Sequence, residues 1–460
     1  MALTESQNTS RQAWVPLAGL TGDIRNWLKD SGDRSLAQKI AGGAFLIRVI
    51  SAGLIYLSQI LLARWMGSFE FGIYVYVWTL VSVIGDLSDL GFATSAQRFV
   101  PEYAKRGALN LLRGFLSRSR WLAVASASVI AAVGILAINI LAPYLPNYLV
   151  LPLSIAGATL PFYGLMQMQD GIARSYNWIH VALLPPFVVR HLVMLTIVSA
   201  ACLLDFPATA ETAVTAVAAA LMLTVIGQTF VLNRRLAHAV PPGPKTYEVK
   251  TWLSISLPTL IVEGFYLLLT HADIILLQLL RSPDDVAVYY AAAKTLMLIS
   301  FVHFAVSAAV GHRFSEYHVT KDYHQLKGIL TDSIRWTFWA SLAASIVILA
   351  MGRPLLSLFG LHFIDGFHLM LILVVGLMAR ASVGPAERLL NMLGERKQCA
   401  SVYAIAFAIN LVLCIVLIPR IGIEGAAIAT STALAAESLM LYRIAKRKLG
   451  FHVFIMGGRS

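Results

Sequence analysis

Four basic side chains, Arg48, Arg190, Lys294 and Arg380, fall inside stretches that are otherwise apolar. A cation held at membrane depth costs roughly 3 kcal/mol unless it faces protein or water, so each is a candidate for function. Arg48 heads a helical stripe with Ser51, Tyr56 and Gln59. Later in the chain Glu263 lies in a similar stripe with Ser256, Thr259, Tyr266 and Thr270. Two helices that each carry one polar face and one charge are suited to lining a shared cavity. Thr79, Ser82, Asp86 and Asp89 form a third stripe, and Lys294 follows Thr79 by the same interval that separates Glu263 from Arg48.

The candidate substrate contacts are therefore Arg48, Lys294, Gln59, Tyr266 and Arg380, and the candidate carriers of a proton- or sodium-linked step are Glu263, Asp273 and His271. Asp273 lies near the end of its apolar run, where access to water is expected. Other readings of the same residues stand beside these. Asp86 or Asp89 would hold Arg48 in a structural ion pair, since buried charges are usually paired. Arg380 and Arg190 sit close enough to the ends of their runs to snorkel to the headgroups. His312, His318 and His324 are evenly spaced, but at an interval that suits neither helical ligation nor a zinc finger, so no metal site is expected. No GxxxxGK[ST] phosphate loop and no serine nucleophile elbow occurs, and neither an enzyme nor a cofactor is expected.

The elements that must position these groups are membrane helices. The chain has 460 residues, 58% hydrophobic and 13% charged, and a mean hydropathy of +0.72, which together describe an all-α polytopic membrane protein. Twelve apolar runs are each near the roughly 20 residues that cross the hydrocarbon as a helix. They fall at 40–63, 71–92, 121–142, 149–169, 183–204, 213–233, 252–279, 286–310, 336–358, 364–386, 399–418 and 425–442. Pro258 predicts a bend in the seventh. The segments that alternate spans leave on the side of both termini carry 28 of the 36 Lys and Arg, against 4 on the opposite side. That bias predicts both termini in the cytoplasm, and it attributes the net charge of +12 to loops facing anionic headgroups, not to nucleic acid.

Residues 1–39 lack the short apolar core of a secretory signal. Within them Trp14, Leu17, Leu20, Ile24, Trp27 and Leu28 would form an amphipathic helix on the leaflet, or the segment is a disordered tail. The three cysteines imply no disulfide framework.

Arg98–Trp121 and Arg313–Trp336 share Glu-Tyr and Arg/Lys-Gly pairs at one common offset, and Arg174 and Asn177 match Arg388 and Asn391 at that same offset. The chain reads as two parallel copies of one six-span unit, a construction typical of transporters with a site between pseudo-symmetric halves. The expected organisation is a segment 1–39, a six-helix bundle 40–233, a Pro-rich basic linker 234–251, a second bundle 252–442 and a basic tail 443–460.

The second copy closes with NMLGERK at Asn391–Lys397 and LIPRIGIEGAAIAT at Leu417–Thr430, and the first holds DLGFATSAQRFVPEY at Asp89–Tyr103. These stretches resemble the Wzx-type polysaccharide flippases, the polysaccharide-synthesis branch of the MOP exporter superfamily, over residues 36–448. Pro419 and Gly425 are expected to close one helix and free the next. The resemblance implies a carrier that moves a polyprenyl-diphosphate-linked oligosaccharide to the outer leaflet of a bacterial inner membrane. It also implies alternating access around a cationic cavity, with Arg48 as a family-like cation on the first helix. Membrane lipids, a polysaccharide polymerase and glycosyltransferases are the implied partners. A drug or cation antiporter of the same superfamily is the main alternative and would favour an acidic first-half cavity; a non-transporting component of a polysaccharide-assembly complex is a second.

Overall fold

The computed structural model describes residues 33–320, 322–449 and 454–455; the amphipathic segment expected between Trp14 and Leu28 lies outside them. The chain divides into a small unit up to Leu46 and a large one, Ile47–Ser460, which carries nearly all the spans. The described residues form helices joined by turns and irregular connections, with no strand among them, because in lipid a helix satisfies its own backbone hydrogen bonds. The helices are α1 Asp33–Ser88, α2 Phe92–Lys105, α3 Leu109–Leu141, α4 Asn147–Ser175, α5 Ile179–Leu184, α6 Arg190–Leu203, α7 Ala210–Ala239 and α8 Val249–Leu280. Beyond these come α9 Pro283–Leu296, α10 Ser300–Val319, α11 Tyr323–Ala350, α12 Gly352–Ser357, α13 Phe367–Ala381, α14 Ala386–Met392, α15 Arg396–Ile421 and α16 Ile423–Leu449.

Twelve spans in two pseudo-symmetric six-helix halves result. Gly67, at φ 77 and ψ 176, breaks α1 into the first and second spans. α16, diluted by Glu424, Glu437 and its hydroxyls, is the twelfth. The duplication appears in the element boundaries: α2 and α10 end at Lys105 and Val319, and α3 and α11 begin at Leu109 and Tyr323, both pairs separated by the offset that relates the sequence copies. Pro185 and Pro186 lack the N–H that an α-helix needs there, and residues Pro185–Val189 widen into a π turn between α5 and α6. α15 runs through Pro419 and ends at Gly422, whose φ of 72 suits glycine, so the expectation that Pro419 closes this helix is corrected. Gly425 instead permits close packing: an added Cβ would lie 2.6 Å from the Leu417 carbonyl carbon.

Call the side that collects the Lys and Arg the basic face. At the opposite, far face the halves are clamped. Arg64 Nε and Nη2 donate to the carbonyls of Leu358 and Ser357 at 2.7 and 2.8 Å, and Ser68 donates to Asp284. Phe71 packs edge-on against Tyr290 and Phe363, and Tyr56 shares a 3.0 Å hydrogen bond with Thr295. Toward the basic face α2 and α8 meet instead: Trp252 Nε1 donates to the Tyr103 hydroxyl at 2.9 Å and Ser256 to Ser95 at 2.9 Å.

Candidate functional site

Between these two sets of contacts lies a cavity of about 220 Å³. The end of α1 contributes Asp86, the turn after it Asp89, and α2 contributes Thr94 and Gln97. α4 adds Gln167, Asp170, Gly171 and Arg174, and α8 adds Glu263, Tyr266 and Leu267. Two glycines let the walls come together. Gly91, at φ 73, turns the chain from α1 into α2, and an added Cβ would meet the Ser256 carbonyl at 2.5 Å. A Cβ on Gly171 would lie 2.3 Å from the Ala93 carbonyl.

Each lining charge has a defined partner. Asp89 is buried and accepts from the Gly91 and Ala93 amides at 2.8 Å each, the position at a helix N-terminus where negative charge is favoured. Gln167 Nε2 donates to Asp86 at 2.6 Å, and Thr94 donates to Glu263 at 2.7 Å. Arg174 grips Asp170 through Nη2 at 2.5 Å and Nε at 3.1 Å, a bidentate geometry. The lining of this cavity thus holds four carboxylates and one guanidinium.

The candidates named from sequence divide. Glu263, Tyr266, Asp86 and Asp89 line the cavity together. Arg48 is half-buried with its guanidinium 3.9 Å from the Phe187 ring centroid, close enough to sense the charges of Asp170 and Arg174. Asp86 and Asp89, expected as its ion-pair partners, have the amide partners given above. Lys294 is half-buried over Tyr290, 5.1 Å from the ring, and Arg190 lies 5.3 Å from Trp78. Gln59 is buried and His271 half-buried, both outside the cavity lining.

Asp273 departs from the expectation of access to water. It is 6% exposed and accepts from the Tyr289 hydroxyl at 2.5 Å, the Thr430 hydroxyl at 3.1 Å and the Ile274 amide at 2.8 Å. Arg380 does not snorkel: it turns inward between Glu437 at 3.7 Å and Glu387 at 3.8 Å, because Glu437 is 1% exposed and a buried carboxylate needs a counter-charge. Sequence reasoning missed Asp170, Arg174 and Glu437 as site residues. Asp170 and Arg174 carry a readable signal, opposite charges spaced i and i+4, but the fourth span runs to Ser175 and not to residue 169, which brings Arg174 into the site.

Comparison with known proteins agrees with this architecture. Residues 258–416 match the MatE family. A Shigella flexneri protein named "Putative O-antigen transporter" is 25% identical over 175 residues, 38% of this chain and 41% of that one, so the match spans less than half of that relative. Among solved structures, an inward-facing multidrug resistance MATE family transporter of the MOP superfamily superposes with a TM-score of 0.71 at 13% identity, covering 88% of this chain and 98% of the other. The lipid II flippase MurJ, in an inward closed conformation, gives 0.66 at 16% identity over 87% of each chain. Both likenesses establish the shared fold. The Polysaccharide biosynthesis protein family matches residues 41–318, more than half of the sequence, and the chain belongs to that family.

Proposed function

We propose that this chain is a flippase that carries a polyprenyl-diphosphate-linked oligosaccharide from the cytoplasmic to the outer leaflet of a bacterial inner membrane, for lipopolysaccharide, capsule or exopolysaccharide synthesis. The observation that carries the reading is the hydrogen-bonding cavity between two clamped halves, in a chain of the polysaccharide biosynthesis family. The relative named as an O-antigen transporter and the fold shared with a lipid II flippase support it. Alternating access then means opening the far-face clamp of Arg64, Ser68 and Phe71 while the basic-face contacts hold, and the reverse.

In this reading the basic face and both termini are cytoplasmic, as the loop charges favour. The halves correspond to 40–233 and 252–442, joined by 234–251, with 1–39 and 443–460 as cytoplasmic ends. Arg48 and Lys294, both resting on aromatic rings, are the diphosphate contacts, because a diphosphate cannot enter low dielectric unpaired. Gln59, Tyr266 and Arg380 are the remaining substrate contacts. Glu263, on the cavity wall, is the better candidate for a coupling step than the enclosed Asp273 or His271. A polymerase and glycosyltransferases are the partners that such a substrate requires.

A second reading, export of an organic cation, draws on one specific observation: the carboxylate-rich lining, reinforced by the MatE match. Proteoliposomes holding the protein and a polyprenyl-diphosphate oligosaccharide separate the two. The flippase reading expects the sugar to become accessible to an impermeant lectin faster than in protein-free vesicles, and Arg48→Ala and Lys294→Ala each to remove that acceleration. Unaccelerated sugar exposure together with uptake of a cationic dye would establish the exporter instead.

A further inference from the structure

Arg174 pairs with Asp170 and its charge also reaches Glu263, but one guanidinium against four carboxylates leaves an acidic excess of three in the lining. A diphosphate placed among them would meet like charge at close range. A sugar ring would not: its hydroxyls donate to carboxylates, and Thr94, Gln97 and Gln167 can each donate or accept in return. The Tyr266 ring, exposed at the rim, offers an apolar face to the C–H side of a pyranose. At about 220 Å³ the space is below the roughly 300–1,000 Å³ of sites for drug-sized ligands, which suits one ring and not a chain.

A second group of side chains points to a polar ligand independently. Behind Tyr266, 5.3 Å away and edge-on, stands the buried Tyr403. Glu437 is 1% exposed, and neither of its oxygens has a hydrogen-bond partner among the described residues. Arg380 lies 3.7 Å from Glu437, beyond hydrogen-bond length and unlike the 2.5 Å grip of Arg174 on Asp170. Buried polar groups left this way are rare, and a ligand hydroxyl that accepts from Arg380 while donating to Glu437 would complete them.

We propose that the cavity is the saccharide subsite of the carrier, that it admits a neutral or amino-bearing ring, and that it rejects a carboxylated one. This rests on the flippase reading and adds which part of the substrate lies where: sugar among the carboxylates, with the ring that follows directed past Tyr266 toward Arg380 and Glu437. The diphosphate stays outside the lining, at Arg48.

The test uses the full-length protein in nanodiscs and three probes, polyprenyl diphosphate bearing N-acetylglucosamine, bearing glucuronic acid, or bearing no sugar. The expected result is that the N-acetylglucosamine lipid binds at least tenfold tighter than the glucuronic acid lipid. Glu263→Gln and Asp86→Asn keep the acceptor atoms used by Thr94 and Gln167 while removing charge, and together they should narrow the ratio to under threefold. Raising salt from about 0.05 to 1 M should narrow it in the unaltered protein, because screening shortens to roughly 3 Å. Equal affinity for the two sugar lipids, or a ratio that neither salt nor the substitutions move, overturns the subsite and leaves the flippase reading standing. Binding of none of the three above plain polyprenol removes the flippase reading, and the subsite with it.

Discussion

Gly114 and Gly328 occupy matching places in the two copies, and their surroundings differ in a way that can be measured. The connection between the halves crosses α3, where Thr246 N–H donates to the Asn110 carbonyl at 3.0 Å and Arg113 Nε donates to the Pro241 carbonyl at 2.7 Å. An added Cβ on Gly114 would lie 1.8 Å from the Thr246 carbonyl oxygen, whereas one on Gly328 meets nothing within 4 Å among the described residues. Relieving the Gly114 contact to an ordinary 3.4 Å requires the strap to move by about 1.6 Å, enough to break the Thr246 bond. A neutral hydrogen bond contributes about 0.5–1.5 kcal/mol and a charge-assisted one about 1.5–3. Losing both costs about 2–4.5 kcal/mol, offset by about 1 kcal/mol of helix propensity on replacing glycine. Gly114→Ala is therefore expected to lose about 1–3.5 kcal/mol, and Gly328→Ala to gain up to about 1 kcal/mol. Thermal unfolding of the detergent-solubilised protein reads the stability, and limited proteolysis within 240–248 reads the strap. Equal melting temperatures and equal cleavage of the strap in the two variants would refute the reasoning.

Arg380→Ala should cost about 3–5 kcal/mol by stranding Glu437, while Arg380→Met combined with Glu437→Leu should recover most of it; a thermal-stability double-mutant cycle checks this. Tyr289→Phe removes a 2.5 Å donor to buried Asp273, and a loss of about 1.5–3 kcal/mol is expected in the same assay, smaller where Thr430 takes up the load. Trp252→Phe should cost about 1 kcal/mol by deleting the bond to Tyr103, and Trp252→Ala about 3–5 kcal/mol because Trp252 is fully buried against Phe115. Arg64→Ala should weaken the far-face clamp, and faster labelling of a cysteine placed at Ser357 would report it.

The sequence by itself determined the membrane class, the twelve spans and the duplicated unit. These rest on apolar run length, on the count of loop charges and on a fixed offset between copies, all of them properties of the chain read along its length. It also selected two of the helices that face the cavity, since the stripes of Asp86 and Asp89 and of Glu263 and Tyr266 are visible as helical periodicity. What periodicity lacks is the azimuth of each stripe relative to other helices. Whether the lining would be basic or acidic depended on how four separate helices turn toward one another. The structure brought Asp170 and Arg174 into the cavity, left Arg48 against Phe187, and joined Arg380 on α13 to Glu437 on α16. Asp273 shows the same limit: its position near a span end predicts water, and only the packing of Tyr289 and Thr430 around it reveals that the carboxylate is buried and takes its hydrogen bonds from protein.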